Sequence, residues 1–491
     1  MYKEYRIGCG TYKDTEKDHL TLPTAGINKD MLPEGFLNGI REMIGEEEAL
    51  LLDKACEKEP VRALRLNPFK KPGEGSADLT SEMKLEKLSY EEDGYLFDPE
   101  CAPGRRPFHD AGAYYIQDPG AMIPGALLQR SGLLKSGMKV LDMCASPGGK
   151  STQIASAMAG KGILFSNEIV KTRCGVLSGN IERMGITNAV VLNESPEKLA
   201  GRFAGYFDAV IVDAPCSGEG MFRKNSEAVT QWSPELVSEC AARQAGILEN
   251  AYTCLKSGGV LVYSTCTFEK AENEDRVLEL TGKYPDMKIL STDFFKNAAE
   301  GLKDGLDGCR DAIRVWPMHF NGEGQFAALL VKEGDGADIL PPGGYEPASE
   351  LKCRKALDEF LKSSLTPEAA SRIASARDRF RLFGDNLFIM PEDTPSLSGL
   401  KVARCGLHIG TFKKDSFEPA HALAMVLGEK DVILSKRADE TEAENYVKGM
   451  TLSGDGKGWC LVSVCGYSLG WGKASGGIIK NHYPKGLRIQ G

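Results

Sequence analysis

The chain has 491 residues, of which 42% are hydrophobic, 26% charged and 8% aromatic. These ordinary values exclude collagen, a long coiled coil and wholesale disorder, and the length exceeds what one compact core holds. Sixty Lys and Arg against 69 Asp and Glu leave a formal charge of -9, which excludes a uniformly basic nucleic-acid coat but not a local basic face.

No apolar run approaches the roughly 20 residues that span a bilayer, and the first residues lack an apolar signal core. The 14 cysteines run from Cys9 to Cys465 with neither a dense framework nor a CxxC pair. A reduced, cytoplasmic protein without membrane contact is expected, and a monomer.

Residues 1–30 are polar and lack periodicity, so they read as a leader; helical spacing begins at Met31, a candidate start of the native chain. Residues 31–110 read as a small α+β module: two short helices, a strand-like stretch from Val61 to Asn67, then loops punctuated by Pro68, Pro72 and Gly73. Between 111 and 334 short apolar strands alternate with helices, the pattern of a mostly parallel sheet with crossover helices. Its strands are expected at 139–143, 162–166, 189–192, 207–212 and 260–264. Helices are expected at 151–159, 170–184 and 234–256, the last opened by Ser233 and Pro234 and closed by Gly258 and Gly259. Pro341-Pro342-Gly343-Gly344 marks a linker within a 335–379 segment that turns helical at 348, and 380–491 reads as a separate β-rich domain with a positive tail.

The first central strand runs into Asp142-Met143-Cys144-Ala145-Ser146-Pro147-Gly148-Gly149-Lys150-Ser151, a Gly-rich turn that opens a helix. It departs from a P-loop, because Cys144 stands where the first glycine belongs and Pro147 removes a backbone donor. The dinucleotide pattern GxGxxG is absent too, while Glu168 at the end of the second strand suits ribose hydroxyls. Adenosine without phosphates points to S-adenosylmethionine.

Asp213-Ala214-Pro215-Cys216-Ser217-Gly218 follows the fourth strand and Ser264-Thr265-Cys266 the fifth. Ligands of open α/β sheets bind at the carboxyl ends of the strands, so both thiols should face one crevice beside the cofactor turn. For the other cysteines an inert core role is the ordinary expectation. A thiolate beside a methyl donor suits methylation of an unreactive carbon: addition to carbon 6 of a pyrimidine makes carbon 5 nucleophilic. Asp213 is placed to address the ring and Lys150 to balance nearby charge. Spacing alone does not say which thiol attacks.

These three motifs, in this order, resemble the Sun/NOP-type RNA (cytosine-5) methyltransferase family, with a layout similar to its bacterial RsmF-like members. The resemblance spans roughly residues 32–332 and includes Tyr115-Ile116-Gln117-Asp118-Pro119, Arg314, Trp316 and Gly322-Glu323-Gly324-Gln325-Phe326. It implies a Rossmann-like class I core with a seven-stranded sheet over 111–334, an N-terminal RNA-binding module, a PUA-like domain over 380–491, and rRNA of the small subunit as substrate. It also implies Cys266 as nucleophile and Cys216 as the residue that promotes release. Cys144 to Lys150, Glu168, Arg173 and Asp213 are implied at the cofactor. One departure is Asn193-Glu194-Ser195, where the family commonly has an Asp for the adenine amine.

RNA contacts are expected from Arg62, Arg65, Lys70 and Lys71, and from Gly470-Trp471-Gly472-Lys473 and Lys480 to Lys485, where basic and aromatic residues interleave. His408 and His421 lack a ligand cluster, so no metal is expected. Two other classes remain open at this stage: a catalytically inactive RNA-binding assembly factor and a P-loop NTPase.

Overall fold

The spacing that begins after Leu32 resolves into two helices, α1 (Glu34–Ile44) and α2 (Glu46–Cys56). The computed structural model describes residues 32–70, 77–337, 339, 343–351 and 354–488. The leader, Met31, Lys71, Pro72, Gly73, Pro341 and Pro342 lie outside the described residues. Phe36 and Ile40 of α1 are buried against Phe222, Phe268 and Trp316, so the first helix docks behind the loops that carry the two expected catalytic cysteines. The rest of this module is β1 (Ala63–Leu66), α3 (Leu79–Glu82), β2 (Glu86–Lys87), β3 (Gly94–Leu96), α4 (Pro107–Asp110) and β4 (Tyr114–Ile116). Its strands pair antiparallel in the order β2-β3-β1-β4.

Asp118 accepts from Gly120 N and caps α5 (Pro119–Arg130), which leads into the central layer. There follow β5 (Lys139–Asp142), α6 (Gly149–Met158), β6 (Ile163–Asn167), α7 (Lys171–Arg183), β7 (Ala189–Leu192), α8 (Pro196–Arg202), β8 (Phe207–Asp213), α9 (Ser226–Gln231), α10 (Pro234–Cys254) and β9 (Leu255–Thr265). Strands β7-β6-β5-β8-β9 are parallel, and the order reverses at β5, which opens a crevice at the carboxyl ends of β5 and β8. α11 (Glu274–Lys283), β10 (Met287–Ile289), α12 (Asp293–Lys296), β11 (Lys303–Asp304), β12 (Ile313–Val315) and β13 (Gln325–Lys332) complete this part, with the added strands antiparallel.

Two local expectations change. Helix α10 stops at Cys254 and Gly258-Gly259 lie inside β9, not at a helix end. The strand starts early because Leu255 already pairs with Phe207. The register then shifts before Ala209 meets Val260, and Gly258 takes the slack at φ +75°. Among the described residues the sheet also has ten strands, not seven. One comes from far along the chain: β16 (Val402–Cys405) pairs antiparallel with β7 and covers an otherwise open edge.

That strand leaves a C-terminal region made of α13 (Arg354–Ser364), α14 (Pro367–Ala374), β14 (Phe380–Phe383) and β15 (Asn386–Ile389) before it, and β17 (Leu407–Phe412), β18 (Phe417–Pro419) and α15 (His421–Val426) after it. A second β unit follows: β19 (Ser435–Ala438), α16 (Glu440–Val447), β20 (Leu452–Ser453), β21 (Gly458–Val464), β22 (Tyr467–Ser475) and β23 (Ile478–Asn481), with strand order β19-β21-β22-β23-β20. Its buried side chains, Tyr446 and Leu469 among them, share a core with Phe108 and Tyr114 of the N-terminal module. Arg404 and His421 meet the same carboxylate, Glu182 on α7, which ties this region to the central layer.

Candidate active site

The expected cofactor residues lie together. Cys144, Ala145, Ser146, Pro147 and Gly148 form the turn after β5, and Gly149 and Lys150 open α6. Gly148 adopts φ +119° and supplies no side-chain cap, so the first amides of α6 are left to face the crevice. Asp142 is fully buried; Oδ2 accepts from Ser151 Oγ at 2.7 Å and Oδ1 has no partner among the described residues. Burial pushes its carboxyl up to about 7.

Glu168 follows β6 and is 3% exposed. Its Oε1 accepts from Val170 N at 2.7 Å, while Oε2 lies 3.7 Å from Arg173 and, among the described residues, keeps lone pairs for hydroxyl donors. Arg173 also donates to Ser146 O at 3.0 Å, and Ser146 Oγ donates to Arg173 O at 3.1 Å, so α7 is laced to the turn. An orphaned carboxylate oxygen, open helix amides and a half-engaged Glu168 suit a nucleoside ligand. At the departing segment Asn193 Nδ2 donates to Glu168 O and Ile169 O, and Glu194 Oε1 accepts from Lys401 N at 2.7 Å, just before β16, so both side chains are fixed by their neighbours.

Asp213 ends β8. Its Oδ2 lies 2.7 Å from Lys150 Nζ and its Oδ1 accepts from Ser264 Oγ at 2.8 Å. Lys150 is thus engaged by a carboxylate inside the crevice. Beyond the strand ends, Cys216 Sγ and Cys266 Sγ are 3.2 Å apart. Both residues are half-buried. The sulfurs meet because β8 and β9 are adjacent, with Asp213 opposite Ser264, and each chain turns outward shortly afterwards. The hydrogen bond with Cys266, burial and the nearby Glu272 carboxylate hold the Cys216 thiol well above the usual range.

The two turns are braced by Glu219, which belongs to the motif around Cys216, and by Asn273 and Glu274, which the motifs did not single out. Glu219 accepts Trp232 Nε1 at 2.7 Å on one oxygen, and Thr267 Oγ1 at 2.9 Å and Phe268 N at 3.0 Å on the other; burial pushes it up to about 8. Asn273 straddles Cys266, accepting from Thr265 Oγ1 at 2.5 Å and donating to Thr267 O at 3.0 Å. Glu274 holds Arg314, which donates to Phe268 O at 2.7 Å. The available signal was helical: Glu274, Val277 and Leu280 share the buried face of α11, and a carboxylate on an apolar face needs a buried partner.

The expected RNA face is partly overturned. Arg65 is 1% exposed and donates to Gln117 Oε1, Gly149 O and Thr152 Oγ1, supporting the cofactor turn from behind. Lys70 donates to Met425 O. Trp471 and Tyr483 are core residues, with Trp471 Nε1 bonded to Ala420 O. Aromatic rings fill the core of the small unit before they serve any ligand. Of the expected residues Lys473, Lys480 and Lys485 are exposed and Arg62 is half-buried; Lys473 and Lys480 lie in a row across three strands with half-buried Trp459, Trp459 opposite Lys473 and Lys473 opposite Lys480. His408 stacks on Phe388 and His421 bonds Glu182, and no metal-holding cluster occurs among the described residues. A cavity of about 940 Å³ opens at the other end of the sheet, where β5, β6 and β7 begin, away from both cysteines.

Residues 133–331 match the model "16S rRNA methyltransferase RsmB/F", 32–119 the N-terminal domain of 16S rRNA methyltransferase RsmF, 359–427 the RsmF rRNA methyltransferase first C-terminal domain, and 435–489 the methyltransferase RsmF PUA domain. Ribosomal RNA small subunit methyltransferase F of Aeromonas salmonicida (strain A449) is 31% identical over 93% of this chain and 97% of its own. The protein of the same name from Escherichia coli O127:H6 is 30% identical over 93% and 96%. In fold, NSun6 from Pyrococcus horikoshii with SFG aligns with a TM-score of 0.53 at 20% identity, covering 63% of this chain and 100% of that one. With its core and both flanking regions matched, the chain belongs to the RsmF family of S-adenosylmethionine-dependent 16S rRNA methyltransferases.

Proposed function

We propose that the protein methylates carbon 5 of cytosine in small-subunit rRNA through a transient bond between Cys266 Sγ and carbon 6, acting as a single chain in the cytoplasm. The observation that carries this reading is the 3.2 Å approach of two sulfurs beside the β5 turn. S-adenosylmethionine, held by the Cys144 to Lys150 turn, Glu168, Arg173 and Asp213, supplies an electrophilic methyl group.

The Cys266 thiolate adds to carbon 6, and the electron pair moves toward carbon 5 and N3. Asp213 holds Lys150 and Ser264 in the crevice, and the Lys150 ammonium offsets the negative charge that develops at N3. Carbon 5 then takes the methyl group, its proton passes to solvent at the mouth of the crevice, and Cys266 leaves. Cys216, kept as a thiol, donates its S–H to the departing sulfur and so assists release.

Carbon 6 is hidden in a duplex, so the cytosine must be unpaired or flipped out, at a cost of a few kcal/mol. Flanking RNA is held on the row of half-buried Trp459 and exposed Lys473 and Lys480, where Lys473 Nζ lies 5.3 Å from the Trp459 ring centroid and His482 packs edge-on at 4.7 Å. Phosphates suit the lysines and a base suits the ring. Bisulfite sequencing of rRNA from a deletion strain beside its parent tests the activity: a cytosine protected in the parent becomes convertible in the deletion, and identical maps overturn the proposal.

A further inference from the structure

Glu272 follows the Cys266 turn in the chain, yet it holds Ser217 directly and Pro215 through Gln244, the two residues that flank Cys216. It is fully buried. Its Oε2 accepts from Ser217 N at 3.1 Å and from Gln244 Nε2 at 2.7 Å, and the same Gln244 nitrogen donates to Pro215 O at 3.0 Å. Its Oε1 has no hydrogen-bond partner, and no Lys or Arg pairs with it among the described residues. The surroundings from each packed element are equally poor in cations. Tyr263 of β9 donates its hydroxyl to Glu272 O, Glu269 and Glu219 on the cysteine turns are acids, and Arg276 of α11 is turned to Ala271 O and Glu279.

We propose that Glu272 is a positioning residue that divides the labour between the two thiols: it brackets Cys216 and keeps that sulfur protonated, leaving Cys266 alone to carry the nucleophilic charge. The inference rests on the cytosine-methylating reading above. Its physical basis is that an unneutralised carboxylate in a dry site disfavours a second anion beside it, and that the thiolate, not the thiol, is the nucleophile. The Cys216 thiol is held up first by its hydrogen bond to Cys266 and by burial, with the Glu272 charge adding to them, and burial raises the Glu272 carboxyl itself, so that charge acts only above its own titration. Without this charge two sulfurs in contact would compete for one proton, and either could add to the ring.

Glu272→Gln separates charge from geometry. Both donors reach the same oxygen, so an amide oxygen there keeps both bonds, and the amide nitrogen replaces an oxygen that has none. The full-length protein, without RNA, is alkylated with iodoacetamide between pH 6 and 10 and the rate at each cysteine is read by peptide mass spectrometry. A drop of about one unit at Cys216 raises its rate at pH 8 roughly tenfold in the variant, while Cys266 changes less than about twofold. Glu272→Asp keeps the charge and should leave the Cys216 profile within about twofold of wild type. An unshifted Cys216 profile in a Gln variant with wild-type melting temperature and S-adenosylhomocysteine affinity overturns the proposal. So does an equal shift in the Asp variant, which would make the effect steric. The alkylation readout needs no substrate, so failure here is distinct from absence of methylation by the wild-type protein.

Discussion

Replacing Arg314 by Met removes the cation from a pair that water does not reach. The Arg314 and Glu274 side chains are 2% and 0% exposed and are joined by two hydrogen bonds of 2.7 and 2.6 Å, with a third bond from Arg314 to Phe268 O at 2.7 Å. Met at 314 leaves the Glu274 carboxylate buried with Leu306 N as its remaining donor. Breaking such a pair from one side costs about 3–5 kcal/mol. At roughly 2–4 °C per kcal/mol for a domain of this size, the melting temperature falls by about 6–20 °C. The double variant Arg314→Met, Glu274→Leu removes both charges and fills the space with apolar atoms, so stability returns to within about 1 kcal/mol of wild type. Methylation stays impaired in the double variant, because Phe268, two residues after Cys266, has lost its anchor. Thermal unfolding in the presence of S-adenosylhomocysteine, with methylation measured on the same samples, separates the two effects. A single variant that loses less than about 1 kcal/mol, or a double variant no better than the single, refutes the reasoning.

Cys266→Ala is expected to abolish methylation with an unchanged melting temperature, whereas Cys216→Ala should accumulate a protein–RNA adduct visible as a shifted band on a denaturing gel; retained turnover in the first would exchange the roles of the two thiols. Glu182 is drawn down to about 2 by hydrogen bonds and charge from His421 and Arg404 that outweigh its burial, so its contribution, about 3 kcal/mol, is complete above pH 4.5 and is lost as the pH falls toward 2. Limited proteolysis across that window should release the region after residue 343 from wild type, while Glu182→Gln shows the weakened contact at every pH. Lys473→Ala with Lys480→Ala should weaken rRNA binding and reduce the magnitude of the slope of log K against log salt by roughly 1.4–1.8, with cofactor affinity unchanged; an unaltered slope would move the RNA to another face.

Strand and helix order through 139–264 was legible because parallel strands buried on both faces read as unbroken apolar runs, and the turns after them announced themselves by Gly, Pro and Cys. The convergence of Cys216 and Cys266 could be expected too, since residues that leave neighbouring strands of an open sheet share an edge. Which polar residues would be buried could not be read in the same way. Arg65 belonged to a basic stretch that suits a ligand surface, and only the packing of β1 behind α6 turned it into an internal brace. Glu272, Asn273 and Glu274 look like an ordinary acidic helix start, yet each is sealed against a partner far along the chain or in another strand. The closing of β7 by β16 joins positions more than 200 residues apart, and no local period encodes such a pairing. Local chemistry therefore determined the elements and the reactive motifs. The environment of each charge, and with it the difference between two identical thiols, was decided only when distant segments met and excluded water.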